Sequence, residues 1–488
     1  MHRTFAVTAG VGLSLLLVGP LAAAPPGDHQ PNRSTQTVPS PTAWKLERFL
    51  LVVQVDVDSG FLAGTATLTL RNTGKAPIRD VPLLLNRLMR VRAVSLPNGR
   101  AIPHRQDIAT FADVGQWQVN AIRAVFPRAI APGDSTTLAI HYDGYLVGYT
   151  EVGMEYVRDR IGPEFSMLRE DALAFPTVGV LSFESNRKAP RGPFAAEALV
   201  TVRSDQVVAG GVLRESASPD SLRTWHLTYP GPTPFLNIAI APYRLYAADN
   251  LRVYAFETDS LGGEQLFTAA QRALERLQAW FGPVETQQPV VVVEIPEGWG
   301  SQASLTGGII QDAAAFRDRS AFRQLYHELS HLWNPRDLDT PSSRWNEGLA
   351  MYLQGRLARE LDGWSGEGEA WERAASQLLR ECGAAVPCDT VPFAKYGDAR
   401  LEAYAYTTGV LLFARLHAAL GDATFDQGLH AFWERYREHG AHLNDLREVF
   451  LSVGGEAARQ VLDDWMDSTR WYSHLRRAGS FRALLAGH

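Results

Sequence analysis

Two histidines four residues apart with a glutamate beside the first, His327-Glu328-Leu329-Ser330-His331, act together in one backbone geometry. On an α-helix both imidazoles leave the same face, one turn apart. Trp345-Asn346-Glu347-Gly348-Leu349-Ala350 follows, with fifteen residues between His331 and Glu347. If Glu347 is to stand beside the imidazoles, the chain must make two helices joined by a short return, which contains Pro335 and Pro341. Two imidazoles and a carboxylate hold one zinc ion and leave a coordination position for water. Glu328 then lies next to that water. The competing reading is an ordinary amphipathic helix with two partly buried histidines. Tyr326, Leu329 and Leu332 give the helix an apolar side, Ser320 is the expected N-cap of a helix beginning near Ala321, and residues 344–357 continue in helical period.

The chain around this motif changes texture near residue 250. From residue 44 to about 246 it reads as short strands: Thr65-Ala66-Thr67-Leu68-Thr69-Leu70 alternates and stops at Asn72-Thr73-Gly74, and residues 138–142, 198–202 and 225–229 alternate likewise. An antiparallel β-sandwich is expected over 44–247. Residues 252–256 and 290–295 read as strands flanking a helix over 264–281, and the run Val290-Val291-Val292-Val293 suits a strand covered on both faces. After residue 320 the pattern is mostly helical, with runs at 370–379, 406–420, 424–439, 443–453 and 456–466, and Gly421 and Gly440 marking helix ends. The expected architecture is a β-sandwich domain followed over 248–488 by an α/β catalytic domain with a helical C-terminal part.

Charge narrows the partners. Lys and Arg number 47 against 53 Asp and Glu, a net charge of −6 without a long basic run, which argues against nucleic acid and against a basic membrane-binding patch. Arg3, the apolar run 5–21 and Ala22-Ala23-Ala24 read as a signal peptide over 1–24, with an uncleaved membrane anchor as the alternative. Residues 25–43, rich in Pro, Ser, Thr and Asn, are the expected leader. Export to the periplasm or beyond follows from this reading, and membrane association only if the apolar segment stays attached. Cys382 and Cys388 are the two cysteines of the chain. A disulfide is the favoured reading in an exported protein, and a partial metal site the lesser one. Nothing in the sequence fixes an oligomeric state.

With Trp333 added, the motif and the Trp345 to Ala350 segment resemble the gluzincin metallopeptidases of the aminopeptidase N and leukotriene hydrolase type. Ala174-Phe175-Pro176 with Arg187-Lys188-Ala189 is similar to a stretch of that family's β-domain, and Ala405-Tyr406-Thr407-Thr408-Gly409 to its Tyr-x-Lys-Gly segment. The resemblance extends patchily over residues 45–470. It implies a thermolysin-like catalytic domain, His327, His331 and Glu347 as ligands of one Zn2+, Glu328 as general base, Tyr406 as oxyanion donor with Tyr404 as the alternative, and a peptide or protein substrate.

Three departures qualify the resemblance. The His331-to-Glu347 connection is shorter than the eighteen residues of the family pattern, and Thr408 replaces the lysine. The family's Gly-x-Met-Glu-Asn strand, whose glutamate holds the substrate amine, corresponds to Gln302-Ala303-Ser304-Leu305-Thr306-Gly307-Gly308-Ile309-Ile310. Leu305 or a neighbour stands where that glutamate would be, while Leu305, Thr306, Gly307 and Gly308 are expected on an edge strand able to pair with substrate backbone. A buried amine without a counter-charge costs several kcal/mol, so altered recognition of the peptide N-terminus is expected. Glu164, Glu294 and Glu297 are possible substitutes. A non-catalytic binding or scaffold protein on the same fold is the alternative function. Hydrolysis of a non-peptide bond such as an epoxide has no specific support.

Overall fold

The computed structural model describes residues 40–486, apart from 116, 149–157, 190–191, 211, 217–220, 230–232, 234–235, 285–288, 304–307 and 385. The apolar N-terminal segment and the leader up to residue 39 lie outside the described residues, as do Leu305, Thr306 and Gly307. Among the described residues no helix is long and apolar enough to cross a membrane.

Period-two patterning builds the first half. In the strand Trp44–Asp56, Phe49, Leu51, Val53 and Val55 are buried while Val52, Gln54 and Asp56 are exposed. Its hairpin partner, Phe61–Asn72, buries Ala66, Leu68 and Leu70. These strands lie centrally in a seven-stranded sheet. A four-stranded sheet covers it, and Val81, Leu83, Ile122 and Phe126 of the smaller sheet share one core with Leu51, Leu68, Ile140 and Val200 of the larger. One pair departs from the expected antiparallel pattern: Ala195–Arg203 runs parallel to Trp44–Asp56. It returns from the far side of the sandwich rather than through a hairpin, and only a long crossover permits parallel pairing.

A three-stranded sheet formed by Val207–Ala209, Asn237–Ala241 and Ser166–Arg169 lies between this sandwich and the second half. Next to it is a five-stranded mixed sheet, in the order Tyr243–Ala248, Leu251–Phe256, Val290–Ile295, Gly308–Asp312, Gln302–Ala303. All six residues of Val290–Ile295 are buried, and the two faces serve different cores. Val290 and Val292 enter the helical core, whereas Val291, Val293 and Ile295 pack with Phe165, Met167 and Tyr243 under the three-stranded sheet. The edge strand is Gln302–Ala303. Gly308 was expected on the edge but opens the neighbouring interior strand, because the chain turns back between the two segments.

Helices complete the second half. Ser260–Phe281 covers the sheet through Leu266, Ala269, Ala270, Ala273, Leu274 and Leu277, which recur at helical spacing. The motif helix, Phe322–Ser330, continues as a tighter turn through Trp333. The sequence suggested Ser320 as its cap. Instead Asp318 caps the preceding short turn, accepting from the Ser320 N–H at 2.8 Å. Two expected breaks are bends within longer helices: Ala405–Tyr436 turns at Gly421 (φ 72°), and Leu443–Trp465 turns at Gly455 (φ 55°). Glycine enters left-handed backbone freely, so each helix resumes after the bend. Cys382 and Cys388 are joined as a disulfide at the end of helix Glu367–Glu381.

Candidate functional site

The motif helix is fixed from one side. Leu325, Tyr326 and Leu329 are fully buried, and Leu332 and Trp333 nearly so. The opposite face carries His327 and His331, both half-buried. Trp333 donates its indole N–H to the carbonyl of Gly282 at 3.0 Å, fixing the C-terminal end of the helix.

The connection then returns the chain. Asn334, buried, donates from Nδ2 to the carbonyl of Asn346 at 2.6 Å, so the end of the motif helix is tied to the residue before Glu347. Helix Trp345–Asp362 starts there, its Trp345 wholly buried. Glu347 reaches both imidazoles: its Oε2 lies 3.2 Å from His327 Nε2 and 3.4 Å from His331 Nε2. The two Nε2 atoms are 3.3 Å apart. A shorter connection than the family pattern therefore still returns the carboxylate.

These three side chains form a group that could hold a metal ion, with donor atoms all within 4.8 Å of one another. The donor set suits zinc: two neutral nitrogens and one anionic oxygen leave an open position. The ionisation of Glu347 agrees with this. Burial works against its charge, but the electrostatic pull of His331 and the hydrogen bonds of His327 and His331 prevail and hold its carboxyl well below the usual range. His327 Nδ1 is buried without a hydrogen-bond partner among the described residues.

Glu328 has a different environment. It is 7% exposed, and burial together with the charge of Glu347 pushes its pKa up to about 7, against the opposing pull of His327. The backbone N–H of Ala303 hydrogen-bonds its carboxylate, so the edge strand holds the acid in place. A carboxyl poised near neutrality can both accept and return a proton.

A third helix brings a phenol. Tyr406 lies in the first turn of Ala405–Tyr436, its ring nearly parallel to His327 with centroids 6.2 Å apart. Burial, then the nearby Glu347 carboxylate, raises its pKa, so it stays a protonated donor. Tyr404 is committed elsewhere, donating to Glu381 Oε2 at 2.9 Å. The two helices meet at glycines: a Cβ on Gly348 would stand 2.6 Å from Gly409 Cα, and one on Gly409 2.7 Å from Gly348 Cα. That contact sets Glu347 opposite Tyr406. Both glycines stand inside the sequence motifs, but motif spacing gives no sign that they touch. Asn334 and the Ala303 N–H were also missed, since neither belongs to a ligand pattern.

The candidate amine anchors are not among the residues of the metal cluster. Glu164 is exposed on the β-half. Glu297 is exposed and pairs with Arg317 at 3.5 Å. Glu294 is buried in the sheet, accepting from the Phe256 N–H at 2.7 Å. None belongs to the His327–His331–Glu347 group. The edge strand is tied to the β-half through Asn237 Nδ2, which donates to Gln302 Oε1 at 3.2 Å.

No protein-family model matches the chain. It is 23% identical over 238 residues to mitochondrial aminopeptidase 2 of Saccharomyces cerevisiae, a match covering 44% of this chain and 24% of the yeast protein's length. Among solved structures it resembles an M1 zinc metallopeptidase from Deinococcus radiodurans, with a TM-score of 0.61 at 21% identity over 87% of this chain and 93% of that one. A variant of that peptidase bound to Tyr-Ser-Ala gives a TM-score of 0.62 at 21% identity over 87% and 94%. A two-domain M1 zinc metallopeptidase variant bound to L-tryptophan gives 0.60, also at 21% identity over 87% and 94%. The chain thus has the fold of the M1 zinc metallopeptidases, including the β-half, the α/β core and the helical C-terminal part.

Proposed function

We propose that this chain is an exported zinc metallopeptidase, aminopeptidase-like in its chemistry and altered in how it receives the substrate N-terminus. The observation that carries the reading is the meeting of three groups on three helices: the His327–His331–Glu347 cluster, the buried Glu328 and the protonated Tyr406. A scaffold has no need of a buried carboxyl beside a metal cluster. The M1 fold and the yeast aminopeptidase match add support.

His327, His331 and Glu347 would hold one zinc ion, which when bound supplies a Lewis acid and brings the pKa of water toward neutrality. Glu328, held by the Ala303 N–H, takes the proton of the attacking water and returns it to the leaving amine. Tyr406 donates its O–H to the oxyanion that forms on the scissile carbonyl. The edge Gln302–Ala303 offers backbone for pairing with an extended peptide. Leu305, Thr306 and Gly307, which lie outside the described residues, are assigned to substrate contact with it.

The Cys382–Cys388 disulfide suits an oxidising compartment and supports export, together with the signal-like start of the chain. A peptide with a free N-terminus and its N-acetylated twin test the reading. Cleavage of either by zinc-loaded protein, lost in Glu328→Gln with zinc retained, supports a metallopeptidase. Equal cleavage of both refutes the aminopeptidase label. Zinc-loaded protein inert toward all peptides points to the scaffold alternative.

A further inference from the structure

The fifteen residues between His331 and Glu347 are fewer than the eighteen of the family pattern. Within this connection the half-buried Asp337 carboxylate is a hub. Its Oδ1 accepts from the Asp339 N–H at 2.9 Å, and its Oδ2 from the Ser342 hydroxyl. Ser342 uses its oxygen twice, since the same Oγ accepts from the Arg344 N–H at 2.8 Å. The Arg344 carbonyl in turn accepts from the Glu347 N–H at 3.1 Å. One series of bonds therefore runs from Asp337 through Ser342 and the Arg344 backbone to the backbone of Glu347. Arg344 stands in left-handed backbone (φ 58°, ψ 39°) as the residue before the Glu347 helix. An L-residue enters that region at a cost, so a partner must hold it there. The Ser342 hydroxyl holds its N–H. The buried Trp345 indole N–H makes no ordinary hydrogen bond among the described residues, and it bears on the same Asp337 carboxylate, favouring its ionised form.

Asp337 is itself fixed from outside the connection. It forms a parallel bridge with Ala441. The Leu338 N–H donates to the Ala441 carbonyl at 2.9 Å, and the Ala441 N–H to the Arg336 carbonyl at 2.8 Å. Asp339 bonds the His442 ring at 2.8 Å and the Leu443 N–H at 2.9 Å, where helix Leu443–Trp465 begins. The approach is close: a Cβ on Gly440 would stand 2.6 Å from the Arg336 carbonyl oxygen. The two imidazoles are set by the motif helix, whereas the connection that delivers Glu347 is fastened to the C-terminal helices.

We propose that Asp337 is a positioning residue for the metal centre, holding Glu347 through Ser342 and the Arg344 backbone at the distance from His327 and His331 that grips one Zn2+. The role rests on the metallopeptidase reading and deepens it, because the C-terminal helices become part of the support of the metal site. Asp337 is not itself a ligand: the cluster consists of His327, His331 and Glu347.

Zinc affinity of the full chain, read by competition with a chromophoric chelator, tests this without turnover. Removing a group that supports a metal ligand weakens binding about ten- to a hundredfold. Asp337→Ala and Ser342→Ala, each folded by circular dichroism at the assay temperature, should each weaken zinc binding about tenfold. Both act on one series, so the double variant should lose little more than the weaker-binding single variant. Asp337→Ala in a Glu347→Ala background should change zinc affinity little, since the ligand it positions is gone. Arg344→Gly enters left-handed backbone freely and should restore part of what Asp337→Ala loses. A merely structural role would lower the melting temperature and leave these zinc constants alone. Unchanged zinc affinity in folded Asp337→Ala, or an equal loss with and without Glu347, overturns the proposal. If Asp337→Ala does not fold, Ser342→Ala decides by the same criteria. A protein that binds zinc with this dependence yet cleaves no peptide refutes the peptidase and leaves the positioning role standing. A protein that cleaves peptides while both variants keep wild-type zinc affinity does the reverse.

Discussion

Replacing Gly409 by alanine tests how the site is assembled without touching a ligand or an acid. The added Cβ would sit 2.7 Å from Gly348 Cα, where ordinary carbon contacts need about 3.5 to 4.0 Å. Both partners are backbone, so no side chain can swing aside and the helices must part by about 1 Å. Overpacking of this kind costs about 1–3 kcal/mol of stability. The gap opens between Glu347, next to Gly348, and Tyr406, one turn before Gly409. A misplacement of about 1 Å among reacting groups costs about a hundredfold in rate. The expected outcome is a folded protein with lowered melting temperature and kcat/KM on a cleavable peptide reduced about a hundredfold, beyond what partial unfolding explains. Gly368→Ala is the control: it sits in a helix with nothing within 4 Å of its Cβ, and should be neutral or stabilising by up to about 1 kcal/mol. Wild-type kcat/KM in well-folded Gly409→Ala would refute the view that this contact sets the distance between the groups.

Tyr406→Phe should keep the metal and lower kcat about a hundredfold or more, as loss of an oxyanion donor does; metal analysis with steady-state kinetics checks it, and an unchanged kcat removes Tyr406 from the chemistry. Burial and the neighbouring Asp259 raise the Glu294 pKa to about 9 from an ordinary 4.5. Between those values the unfolded chain holds fewer protons than the folded one, so this group makes stability fall as pH rises, by at most about 1.4 kcal/mol per pH unit. Glu294→Gln keeps an acceptor for the Phe256 N–H and should gain on wild type from pH 5 to 9 in urea unfolding; parallel profiles would refute this. The disulfide closes a loop with a sequence separation of 6, for which chain entropy gives about 2 kcal/mol. Paired Cys382→Ser and Cys388→Ser should lower stability by about that amount, and an unchanged midpoint in denaturant would contradict the estimate.

The cluster of His327, His331 and Glu347 was legible because metal-binding chemistry imposes spacing. His327 and His331 need one helical turn, and Glu347 needs a return within a short connection. The strand Val290–Ile295 was legible because an unbroken apolar run permits no wet face. What stayed hidden depends on tertiary contact. The Ala303 N–H that holds Glu328 is a backbone group, which every residue but proline carries, so no side-chain pattern announces it. Gly348 and Gly409 lie far apart in sequence and meet only when two helices cross. Gly421 read as a helix end because glycine accepts the same left-handed backbone whether a helix stops or bends. Gly308 was assigned to the edge strand because Gln302–Ala303 is too short to alternate visibly.

The strand Val290–Ile295 belongs to two cores at once, which makes the halves of this protein mechanically inseparable. A cut before Tyr243 would not release a free catalytic domain. It would uncover Val291, Val293, Ile295 and Ile310 along one greasy face, with Trp299 beside them. Loosening in the β-half is therefore felt within one sheet of the motif helix, and the chain should melt as a single cooperative unit rather than domain by domain.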